Sequence, residues 1–145
     1  MDYQNAFAIS AAGMSVERLR VEVSALNLAN ANTVAEAGGA AFQPMRVVAR
    51  AATANGAPVP FAALVGRGLA GPAATVETAQ TAARRVLEPG HPLADAQGYV
   101  SYAGVDTTTE MLTIMRATRA YEANVAAMNA ARTMAMKALD IGSTP

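Results

Sequence analysis

Residues 7–28 read FAISAAGMSVERLRVEVSALNL, and the spacing within this stretch decides the fold. Ile9, Ala12, Val16, Leu19, Val23 and Leu26 follow one another in alternating steps of three and four, close to the roughly 3.5-residue repeat of a coiled-coil seam. Phe7, Met14, Val21 and Leu28 recur every seventh residue on the opposite side of the same helix, while Glu17, Arg18, Arg20 and Glu22 take what remains. A helix that is apolar on two opposed faces needs neighbours on both. The helix is expected from about Asp2 to Ala31.

The pattern returns near the other end of the chain. From about Thr107 to Leu139 the steps of three and four run through Met111, Ile114, Thr118, Tyr121, Val125, Met128, Arg132, Ala135 and Leu139. Beside this seam lies a band of small residues, Ala117, Ala120, Ala127, Ala131 and Ala138, where another helix can approach closely. Thr107, Thr108 or Thr109 is the expected cap, with Glu110 near the positive end of the helix dipole and Gly142 as a left-handed C-cap. At ~1.5 Å per residue a helix of thirty-odd residues is about 50 Å long, more than a compact domain of this size needs.

Six of the seven prolines fall between these two segments, so the ends read as helices and the middle does not. Short β-like runs at Met45–Arg50, Pro58–Val65, Ala74–Thr78, Arg84–Glu88 and Gly98–Tyr102 are separated by Gly38-Gly39, Asn55-Gly56, Gly71-Pro72, Pro89-Gly90 and Gln97-Gly98. Gly66 to Ala74 reads as a loop. The expected fold is mainly α with a small β-rich middle: residues 1–32 and 107–145 pair as an antiparallel coiled-coil-like unit, and 33–106 form a small irregular antiparallel β domain.

Composition narrows the function. Eleven basic residues balance eleven acidic ones in a chain of 145, so no electrostatic footprint points to nucleic acid or an anionic membrane. Of the 76 hydrophobic residues 36 are alanine and only seven aromatic, a helix-forming composition with a thin core that asks for a partner to complete it. The absence of cysteine excludes disulfides, thiolate metal sites and cysteine nucleophiles. No run approaches the ~20 apolar residues of a membrane span, so no direct membrane insertion is expected. The start, Met1-Asp2-Tyr3-Gln4-Asn5, lacks the basic and apolar regions of a cleavable signal peptide.

The catalytic candidates are thin. Gly66-Arg67-Gly68-Leu69-Ala70-Gly71 fits G-x-G-x-x-G, with Glu88 some twenty residues beyond, but a dinucleotide site needs a helix at the end of that motif and Pro72 follows instead. His91, in Pro89-Gly90-His91-Pro92 with Asp95 four residues on, lacks a third metal ligand and reads as a turn histidine. A Ser-His-Asp triad would have to use it, and nothing brings a serine there. Glu17 with Glu22, and Asp106 with Glu110, read as solvated helix charges and caps, and Arg84-Arg85 as ion-pairing residues. No cofactor, metal or enzymatic activity is expected.

The residues expected to carry function are therefore those of an assembly interface. They comprise the two series of the first helix together with Asn27 and Asn30. On the second helix they comprise Met111, Ile114, Tyr121, Val125, Met128, Met134 and Leu139, the small Ala117, Ala120, Ala127 and Ala131, and Asn124. Buried asparagines at such seams fix register, although Asn30 and Asn32 equally suit the termination of a helix.

Three stretches carry a family resemblance. Ser24-Ala25-Leu26-Asn27-Leu28-Ala29-Asn30-Ala31-Asn32-Thr33 resembles the asparagine-rich signature of bacterial flagellar rod and hook proteins. Glu88-Pro89-Gly90-His91-Pro92-Leu93-Ala94-Asp95-Ala96-Gln97-Gly98-Tyr99-Val100 is similar to a segment of a proximal-rod component, and Ala117-Thr118-Arg119-Ala120-Tyr121-Glu122-Ala123-Asn124-Val125-Ala126-Ala127-Met128-Asn129 is the strongest match to this flagellar axial protein family. Ala103 departs from the pattern, which has proline after the tyrosine, and Ala51 to Gly71 match poorly. The resemblance implies a structural subunit of the proximal rod that polymerises through its terminal helices into a drive shaft carrying torque to the hook and surrounding the export channel. It implies as partners further copies of the chain, other rod proteins, the membrane-embedded ring and export-gate base, and the flagellar type III export apparatus, with location in the basal body after export without a cleaved leader. The alternative from the seams alone is a soluble adaptor or secretion chaperone forming a small closed bundle.

Overall fold

The computed structural model describes residues 3–35, 39–51 and 72–143. In chain order they form α1 (Tyr3–Ala29), β1 (Met45–Ala51), β2 (Pro72–Thr78), β3 (Arg84–Leu87), β4 (Tyr99–Tyr102) and α2 (Thr107–Ser143). The two long helices run antiparallel and flank two small sheets, as their patterning predicts. Pro58–Val65 and the Gly66–Gly71 motif lie outside the described residues. Pro72–Ala74, expected in a loop, instead opens β2, where proline is tolerated as a first strand residue that donates nothing to the ladder. A strand, not a helix, therefore follows the glycine motif, and the dinucleotide reading loses the helix N-terminus it requires.

The chain divides into two compact units, and both helices contribute to each. The first comprises Met1–Leu19, Val48–Thr75 and Ala117–Pro145. Its buried residues are small: Ser10 and Val16 from α1, Ala117 and Ala131 from α2. A Cβ built on Gly13 would come within 2.8 Å of the Asn124 side-chain oxygen, so the Asn124 carboxamide fills the space a side chain at position 13 needs. Asn124 turns its amide back onto its own helix, donating to the Ala120 carbonyl at 2.9 Å.

The second unit comprises Arg20–Val47 and Val76–Arg116. Pro44 accepts a bond from the Ala79 amide and Arg46 meets Glu77, so β1 and β2 pair antiparallel here. β3 and β4 form an antiparallel hairpin in which Arg84 faces Tyr102 and Leu87 faces Tyr99. The segment leaving α1 extends that hairpin: Val34 bridges Tyr102, the Ala35 amide donates to Ser101, and the Ala103 amide donates to Thr33. Val100 and Ala103 are completely buried. Proline at position 103 would have no N–H to give Thr33.

The eleven residues from Glu88 to Gly98 close on themselves rather than loop freely. The Glu88 amide donates to Gly98, the Asp95 amide to Tyr99 and the Gly98 amide to Asp95. Gly98 has φ +80°, a left-handed conformation that glycine takes without steric cost. Asp95 Oδ1 accepts from the amides of Gln97 and Tyr99, while its other oxygen pairs with Arg85, which also lies over the Tyr99 ring. These contacts, the Tyr99 amide first, hold the Asp95 carboxyl below its ordinary range. His91 is a turn residue: its Nδ1 accepts the Leu93 amide.

The start of α2 corrects one expectation. Asp106, not one of the three threonines, is the cap: its Oδ1 accepts the Thr108 amide and its Oδ2 the Thr109 hydroxyl, and both bonds lower its pKa, the hydroxyl foremost. Aspartate wins because its two oxygens reach both donors at once. Gly142 does not end the helix either; it is helical, and α2 runs to Ser143.

Candidate assembly surface

Of the small band expected on α2, Ala117, Ala120 and Ala131 turn inward, whereas Ala127 and Ala138 are exposed. Ala117, Ala120, Asn124, Met128, Ala131 and Ala135 follow steps of three and four and are buried or half-buried. The large seam expected from the sequence is open only in part: within the first unit Tyr121 is 40% exposed, Val125 37% and Leu139 74%, while Met128 and Ala135 are half-buried. In the second unit Met111 and Met115 are both more than half exposed. Ala127 and Met134 are also exposed, whereas Ile114 is half-buried.

On α1, Val16 and Val23 are buried, Ile9 and Leu19 are half-buried, and Leu26 is 44% exposed. The opposed series Phe7, Met14, Val21 and Leu28 is half-buried throughout. A third stripe, missed in the reading of the sequence, does much of the packing: Ser10, Gly13, Glu17, Arg20, Ser24 and Asn27 advance by three and four and none is exposed. Its members are small or polar, so hydrophobic periodicity does not reveal them; serine and glycine at helical spacing were the available signal.

The asparagines part company. Asn27 is fully buried, and its Nδ2 donates to the Met45 carbonyl at 2.7 Å and to Glu110 Oε1 at 2.9 Å. Its Oδ1 accepts the Met45 amide at 2.9 Å. One carboxamide thereby ties α1 to the first residue of β1 and to the first turn of α2. Sequence reasoning picked the residue as a register device; the partners are intrachain. Asn30, by contrast, ends α1, its Nδ2 donating to the Leu26 carbonyl and its Oδ1 accepting from Thr33.

Chemistry of other kinds finds little foothold. Among the described residues no group of three metal-ligating side chains converges and no helix is long and apolar enough to cross a membrane. Among the described residues, the second unit holds an open cavity of about 580 Å³ bordered by Asn32, Arg84 and Asp106, and another of about 230 Å³ bordered by Arg20, Ser24, Met45 and Glu110. Neither contains His91.

The fold and this surface define a class: a small structural protein of paired terminal helices with an inserted β region and an uncovered apolar seam. Residues 96–141 match the family described as the flagellar basal body rod FlgEFG protein C-terminal. The chain is 36% identical over 138 residues to the flagellar basal-body rod protein FlgC of Escherichia coli O157:H7, covering 95% of this chain and 96% of that one. It is 35% identical over 138 residues to FlgC of Salmonella typhimurium (strain LT2), with the same coverage. To FlgC of Bacillus subtilis (strain 168) it is 35% identical over 141 residues, or 92% of this chain and 94% of that one. The chain belongs to the FlgC family of flagellar basal-body rod proteins.

Proposed function

We propose that this structural rod protein polymerises through its terminal helices, forming with further copies and other rod proteins a shaft that carries torque to the hook and surrounds an export channel. The observation that carries the reading is the uncovered part of the α2 seam, where Tyr121, Val125 and Leu139 remain in solvent while Ala117 and Ala131 are already buried within the chain. Apolar surface of this extent in a monomer marks an interaction site. Many interdigitated side chains along two helices suit a mechanical load, because each contact is small and their sum is large. On this reading the chain travels through the flagellar type III apparatus without a cleaved leader, meets the membrane-embedded ring at the base of the rod, and catalyses nothing. The half-buried Phe7–Leu28 series then serves as a second contact line on α1.

Hydrogen exchange tests this directly on the purified chain and on isolated basal bodies. Peptides from Asp2–Ala31 and Thr107–Leu139 are expected to exchange rapidly in the free chain and slowly in the assembled rod. Equal protection in both states overturns the reading and favours a closed adaptor bundle, whose helices are complete by themselves.

A further inference from the structure

The cavity of about 230 Å³ in the second unit is bordered by apolar side chains, Val23, Met45 and Val47, and by two polar ones that keep bonding capacity in reserve, Ser24 and Glu110. Ser24 is only 3% exposed, and among the described residues its hydroxyl has no hydrogen-bond partner. Every fully enclosed polar side-chain atom among those residues is bonded, so this hydroxyl opens onto the cavity. Glu110 is half-buried; its Oε1 accepts from Asn27, while its Oε2 has no partner and no cation pairs with it among the described residues. The two arginines that border the cavity are already engaged, Arg46 with Glu77 at 3.4 Å and Arg20 in a contact of its own. What remains free is a carboxylate oxygen and a hydroxyl, which together suit a positively charged donor. An acidic occupant would meet Glu110 as a like charge.

The same chain carries cations without partners. Arg116, Arg119, Arg132 and Lys137 lie on α2, are exposed, and form no ion pair or ring contact among the described residues, whereas every described arginine off α2 is engaged. We infer that the cavity receives one of these four side chains from a second copy of the chain. Its methylene stem lies along Val23, Met45 and Val47, and its head donates to Glu110 Oε2 and Ser24 Oγ. The inference rests on the proposed assembly through the terminal helices and names one polar contact within it.

The test is zero-length cross-linking with a water-soluble carbodiimide, which joins a carboxylate to a lysine amine in contact with it. The unmodified chain presents Lys137, and R116K, R119K and R132K present an amine at each of the other positions in turn with the charge kept. In isolated basal bodies, peptide mass spectrometry of the cross-linked dimer is expected to find Glu110 joined to one of the four positions, and the unassembled chain is expected to give no such dimer. Occupancy is read independently through S24C, the sole thiol of an otherwise cysteine-free chain. In basal bodies its reaction with a small cationic methanethiosulfonate is expected to quicken roughly tenfold when glutamine replaces the cross-linked cation, the factor for loss of one charge-assisted bond. No Glu110 dimer at any of the four positions, in rods whose α2 is protected from hydrogen exchange, overturns the inference and leaves the assembly reading standing. An unprotected α2 overturns the assembly reading itself. S24C that reacts no faster after the glutamine replacement, or faster with an anionic reagent than with the cationic one, also overturns the inference.

Discussion

Replacing Asn27 by alanine removes a side chain with no solvent exposure and three hydrogen bonds, two to the Met45 backbone and one to the Glu110 carboxylate. Neutral bonds contribute about 1 kcal/mol each and a bond to a charged group about 1.5–3, so the intact set contributes roughly 3–5 kcal/mol. The cavity of about 230 Å³ that borders both Met45 and Glu110 lets water reach the abandoned groups and returns part of that. Asn27→Ala is therefore expected to cost about 2–4 kcal/mol, a large fraction of the stability of a small domain. Urea unfolding followed by circular dichroism reads the change as a lower midpoint at unchanged slope. Amide exchange at Met45 supplies the local readout, since that N–H loses its acceptor. A double-mutant cycle with Glu110→Ala is expected to show coupling of about 1 kcal/mol, because the two side chains share a bond. A loss below about 0.5 kcal/mol with Met45 still protected, the size of an ordinary surface change, refutes the argument that this carboxamide holds the three elements together.

Other expectations follow from single contacts. Gly13→Ala meets the Asn124 amide and is expected to destabilise the chain, but in an Asn124→Ala background the same change stabilises by about 1 kcal/mol, the helix-propensity difference; thermal unfolding of the four variants decides it. Because the Asp95 carboxyl titrates below its ordinary 3.8 when folded, its contribution is complete above the unfolded pKa and fades as pH falls through the folded one. The Tyr99 amide, followed by NMR from neutral into strongly acid solution, is thus expected to lose protection at low pH, and Asp95→Asn to abolish that dependence. In isolated basal bodies Asp106→Ala frays the start of α2, seen as faster exchange at the Thr108 amide, whereas Thr107→Ala leaves it protected.

The resemblance to relatives and the physical pattern are informative about different things. Within Ser24–Thr33, which resembles a signature of the family, Asn27 and Asn30 do unlike work, one bonding across three elements and the other closing its own helix. The environment that gives each amide its partner is not written in the residue type.

The sequence by itself determined the two long helices and four of the short strands. Steps of three and four with no proline favour a helix, and Pro89-Gly90 and Gln97-Gly98 interrupt the chain between β3 and β4. It also determined the absence of thiol chemistry and of a strong charge field. Only the tertiary structure decided which face of each helix is used within the chain. Periodicity gives α2 two neighbouring stripes, one large and one small, and either can pack; the face that turns inward mixes them, with Ala117, Ala120 and Ala131 beside Asn124, Met128 and Ala135, while Ala127 and Ala138 stay exposed. That choice leaves Tyr121, Val125 and Leu139 outside, which no count of apolar residues predicts. The cap at Asp106 was by contrast settled locally, by two oxygens reaching donors two and three residues along the chain. Contacts between residues far apart in sequence choose among locally equivalent options, and that choice is what tertiary packing adds.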